Sequence, residues 1–82
     1  MTLAEELEQI MMQRLGKVIG AAIASKRTAL LNKSRQQLSS KDCCWLVEEF
    51  LRAARLFSTK EELAELEYAL TLAIAKYKRQ FP

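Results

Sequence analysis

The side chains with reactive chemistry in this chain are few, and their spacing decides what they could do. Eighty-two residues contain no histidine, so the commonest general base and the commonest metal ligand are both missing. The two cysteines, Cys43 and Cys44, are adjacent. Two thiolates without a histidine cannot close a tetrahedral zinc site within one chain. Both fall in what reads as the first turn of a helix, beside Lys41. A helix N-terminus and a nearby cation favour the thiolate, which makes Cys44 the candidate reactive thiol. Cys43 lies instead on an apolar stripe with Val47 and Phe50 and reads as a small core residue.

The carboxylates offer no better site. Glu48 and Glu49 are neighbours and point apart on a helix. Glu61 and Glu65 share a face, but no apolar pocket surrounds them to tune a general acid or base. No Ser–His or Cys–His pair exists to make a nucleophile. The expectation is a protein that is not an enzyme. It has no catalytic residue, metal, cofactor or small-molecule substrate.

Charge is more informative. Between Glu8 and Asp42 there are seven bases and no acid: Arg14, Lys17, Lys26, Arg27, Lys33, Arg35 and Lys41. The rest of the chain holds six bases and ten acids, so the formal net charge of +3 conceals a polarised molecule. A basic surface of this kind contacts phosphates or an acidic protein. No aromatic residue lies in the basic segment to stack on bases, and no helix-turn-helix signature is visible. An acidic protein partner therefore ranks ahead of nucleic acid.

Helices must position these groups. Glycine and proline together number three, too few for the turns of a β-sandwich or barrel. Ala, Leu, Glu, Lys, Arg and Gln dominate, and all favour helix. Three S/T-x-x-D/E boxes, Thr2–Glu5, Ser39–Asp42 and Ser58–Glu61, each precede apolar periodicity. Acids gather early and bases late in each segment, as the helix dipole prefers. This predicts an all-α, single-domain fold over 1–82: a long helix over about 3–37, a second over about 42–57 and a third over about 59–80. The last two form a hairpin through a link near Ser58, and the first packs on it as a three-helix bundle.

The first helix is not uniform. Leu3, Leu7, Ile10, Met11, Leu15, Val18, Ile19 and Ala22 share a broad face, but beyond Ile23 the register fails. Lys26 and Lys33 fall on that face, and Leu31 and Leu38 fall opposite. Either the helix bends or breaks near 25–28, or it runs straight for about 52 Å. Gly16, Gly20 and Ala24 lie four apart on one line of it. A phosphate loop would need more glycine and a Lys-Ser/Thr pair. The least charged stretch, Leu15 to Ser25, is 11 residues, far short of a membrane span. Two readings remain: close approach of another helix, from the same chain or from a second copy, which ranks first, and a helix that is simply bent or poorly formed at the glycines.

Four residues project away from the apolar stripes: Trp45 and Leu56 on the second helix, Tyr68 and Leu72 on the third. Trp and Tyr commonly anchor interfaces, so these are the candidate partner-docking residues. The second helix is apolar around most of its circumference and needs cover on more than one side. A second chain is expected to complete the bundle. The acidic N-terminus lacks the basic start of a signal peptide, which makes the cytoplasm the expected location. The function expected is a small helical protein-interaction module (an adaptor, chaperone or regulator) acting as a homo-oligomer or as one subunit of a complex. The alternative is a nucleic-acid-associated regulator using 14–41.

Overall fold

Three helix starts are set by a hydroxyl group standing three residues ahead of an acid. The computed structural model describes residues 2–33 and 37–80, and within them the chain forms four helices and no strand. These are α1 (Leu3–Leu15), α2 (Lys17–Ala29), α3 (Ser40–Ala54) and α4 (Lys60–Gln80). At α1, Thr2 Oγ1 accepts from the Glu5 amide at 3.2 Å and donates to Glu5 Oε1 at 3.0 Å. At α3, Ser39 and Asp42 form a reciprocal box with both bonds at 3.1 Å.

The third box sits one residue later than the Ser58–Glu61 reading. The Glu62 amide donates to Thr59 Oγ1 at 3.2 Å, and the Thr59 amide donates to Glu62 Oε1 at 2.8 Å. The end of α3 explains the shift. Its last carbonyls are taken by a tighter turn, Leu56 N to Ala53 O at 3.3 Å and Phe57 N to Ala54 O at 3.0 Å. That turn runs through Phe57, so Ser58 is used in the link and Thr59 becomes the cap.

The first segment is two helices, and the break falls at Gly16 rather than at 25–28. Gly16 has φ +93° and ψ 157°, a region that essentially only glycine enters. α2 then runs unbroken through Ser25–Thr28. It ends in tight turn bonds from Leu30, Leu31 and Asn32 to Arg27, Thr28 and Ala29. Asn32 takes φ +53°, a left-handed conformation that asparagine tolerates better than most residues. No straight rod exists, and the molecule measures 34 × 25 × 18 Å. The lost register beyond Ile23 marks a helix facing a new neighbour.

That neighbour is α3. α1 lies against α2, α4 and α3, while α2 reaches along another side of α3. One apolar cluster joins all four helices. Leu7 and Met11 of α1, Ile23 and Ala24 of α2, Leu46 and Phe50 of α3, and Leu66 and Leu70 of α4 are its main members. The second side of α3, for which a further chain was expected, is covered in part by α2 of the same chain.

Candidate functional site

Where α2 meets the end of α3, the packing stays open. The tight turn after Ala54 throws Leu56 and Phe57 outward, leaving Leu56 82% exposed and Phe57 55% exposed. Across from them α2 presents Val18, 83% exposed, with Ile19 and Ala22 beside it. Ile23 and Ala53 form the floor, and Lys26 and Arg27 form one rim. The result is an apolar groove of about 310 Å³ whose lining contains two bases and no acid.

The residues singled out from sequence do not all meet there. Of Trp45, Leu56, Tyr68 and Leu72, only Leu56 lines the groove. Tyr68, 70% exposed, and Leu72 lie on the face of α4 turned from the core, and Trp45 is partly exposed on α3. Periodicity puts Val18 and Ile19 on the broad apolar face of the first helix, and Phe57, seven residues after Phe50, on the apolar stripe of the second. They became exposed because the chain turns at Gly16 and α3 stops at Ala54, so the helices end before those stripes do. A Gly followed by a second Gly four residues on was the available signal, since a corner needs the first and close packing needs the second.

The small-residue line divides by role. Gly16 is exposed, and a Cβ added to it would meet nothing within 4 Å, so its part is conformational. A Cβ on Gly20 would stand 2.7 Å from Met12 Cα and 2.6 Å from the Met11 carbonyl carbon. The backbone of α2 crosses that of α1 at this point. Ala24 is fully buried. Gly20 and Ala24 thus face their own chain, which removes them as a surface for a second copy.

Half of the described bases of the basic segment are answered from within. Arg14 pairs with Glu65 at 3.5 Å, Arg27 with Glu49 at 3.4 Å and Lys33 with Asp42 at 3.1 Å. Arg35 lies outside the described residues. Lys17, Lys26 and Lys41 are exposed and make no ion pair with a described residue. Glu49 is only 8% exposed, although its position on α3 opposite the apolar stripe reads as solvated. α2 covers that face, and Glu49 is held by Arg27 together with Arg52 at 3.0 Å. Asp42 is held below the usual carboxylate range by the Ser39 amide and then by Lys33.

The two thiols are free and differently placed. Cys43 is buried among the core residues, and burial, aided by Asp42 and Cys44, pushes its pKa from 9.0 up to about 11. Cys44 is partly buried against the same cluster. Among the described residues no group of three or more Cys, Asp or Glu side chains could hold a metal ion. No described helix is long and apolar enough to cross a membrane. No family model, curated protein or solved structure matches this chain.

Proposed function

We propose that this chain is a non-enzymatic helical interaction module that receives a helix in the groove between α2 and α3. The observation that carries the reading is the groove itself: Val18, Leu56 and Phe57 lie open together over buried Ile23 and Ala53. Fully burying a side chain of that kind contributes roughly 1.5–3 kcal/mol each, which offsets part of the cost of association for a short amphipathic helix. The short side chain of Ala22 in the α2 wall leaves room for such a helix to approach. Adaptor, chaperone and regulator are all roles that such docking serves. The proposed setting is the cytoplasm, where thiols such as Cys43 and Cys44 stay reduced.

The nucleic-acid reading is the weaker one. Three of the six described bases of the basic segment already have a carboxylate partner, so few remain to release counterions from a phosphate backbone. A photo-crosslinking side chain at Ala22, introduced in cells, tests the docking reading. A discrete protein adduct that disappears with Leu56→Glu is expected. No adduct at any expression level would end the proposal.

A further inference from the structure

We infer that the occupant of the groove is a second copy of this chain, presenting the outer face of its α4. The inference rests on the docking reading and names the partner. Its basis is a complementarity visible on both surfaces. Glu61, Glu65, Tyr68 and Leu72 follow one another at spacings of four, three and four along α4, and all are exposed. That is the seam of a helix made to lie along another helix, acidic at its first end and apolar at its second. The groove has the reverse arrangement along α2: apolar at Val18, Ile19 and Ala22, basic at Lys26.

Length and direction agree. Val18 to Lys26 spans about 12 Å of helix, and Leu72 back to Glu65 spans about 10 Å. Laid antiparallel, Tyr68 and Leu72 fall on Val18, Ala22, Leu56 and Phe57, while Glu65 and Glu61 reach Lys26. A parallel arrangement would bring Lys76 toward Lys26, so charge selects the antiparallel one. Glu61 and Lys26 each make no ion pair with a described residue, and Glu65 is shared with the exposed Arg14. The two surfaces are different patches of one molecule. Each copy therefore offers both a groove and an α4 face: two copies that satisfy both contacts reciprocally close as a two-fold dimer, and otherwise the contacts run on to further neighbours as a ring or an open chain.

Light scattering on the full chain over a concentration series tests this directly. The wild type should rise from its 9.4 kDa monomer mass to a dimer or larger as concentration increases. Val18→Glu, which closes the groove, and Tyr68→Lys, which spoils the α4 face, should each remain monomeric alone. Mixed in equal amounts they should form a species of twice the monomer mass, because one intact groove and one intact face remain. Circular dichroism identifies any variant that has lost helix, and Leu56→Glu then replaces Val18→Glu. A wild type that stays monomeric throughout overturns the inference. So does a mixture that stays monomeric while the wild type associates. A monomeric wild type whose Ala22 crosslinks to a different protein overturns self-docking and leaves the docking reading standing.

Discussion

Gly16 and Gly20 lie four residues apart in the sequence and answer different physical demands. At Gly16 the demand is backbone conformation. Gly16→Ala should destabilise the fold by about 1–3 kcal/mol through strain alone, since space for the methyl group is open. At Gly20 the demand is room, because the obstructing atoms are α1 backbone and cannot rotate away. Gly20→Ala, which ordinarily strengthens a helix, should here cost about 1–3 kcal/mol from overpacking. Urea denaturation of the two variants measures both, and a stabilised Gly20→Ala would refute the crossing geometry. Cys43 makes a further residue-scale prediction. Its folded pKa of about 11 lies above its ordinary 9.0, so its contribution to stability is complete below pH 9 and is lost as pH rises through 11. Folded protein should accordingly react at Cys43 with iodoacetamide only as fast as it unfolds. Rapid alkylation at neutral pH would place the thiol outside the core.

At the scale of elements, the caps and one buried acid decide how the helices meet. The overlapping hydroxyls of Ser58 and Thr59 give a sequence with two box registers, and the hydrogen bonds select the second. Thr59→Ala should cost about 1 kcal/mol, and Ser58→Ala close to nothing, by thermal or urea unfolding. Equal effects would mean that the cap is shared. Asp42 and Glu62, each held below its ordinary value by the cap amide, contribute stability above pH 3.8 and 4.5 respectively. That contribution is lost as pH falls through the lower folded values. Glu49 ties α2 to α3 through Arg27. Glu49→Ala should cost about 1–3 kcal/mol, less than a fully buried pair because both arginines reach solvent. A double-mutant cycle with Arg27→Ala isolates the bond between the helices.

The whole molecule was legible in its class and in most of its helix limits. Capping boxes and 3.6-residue periodicity are local signals, and they located α3 and α4 within a few residues. The corner at Gly16 was legible only as the second of two readings. Two glycines four apart in a good amphipathic pattern read first as room for a close crossing, which Gly20 supplies, and the positive φ of Gly16 leaves no periodic trace. From that one omission the others follow. Val18 and Ile19 moved from a supposed buried stripe to the groove, Glu49 moved from solvent to an interior seat, and the acid-free half of the chain turned back onto the acids of the other half. Pairing across distant segments carries no periodic trace in sequence, so the charge polarity could be seen while its resolution could not.

The corner at Gly16 also sets how the chain could fail. A residue there that cannot hold φ +93° would relieve its strain by letting α1 and α2 fuse into one straight helix. The fused helix would carry α1 away from its own α3–α4 hairpin, and the vacated apolar surface of Leu46, Phe50, Leu66 and Leu70 would accept the α1 of a neighbour. The outcome is a domain-swapped dimer, with intramolecular contacts re-formed between two copies. Refolded Gly16→Ala at high concentration should yield a dimer that persists for hours on dilution, because release requires unfolding. A dimer of that kind would show that a single glycine keeps this sequence from exchanging its first helix between copies.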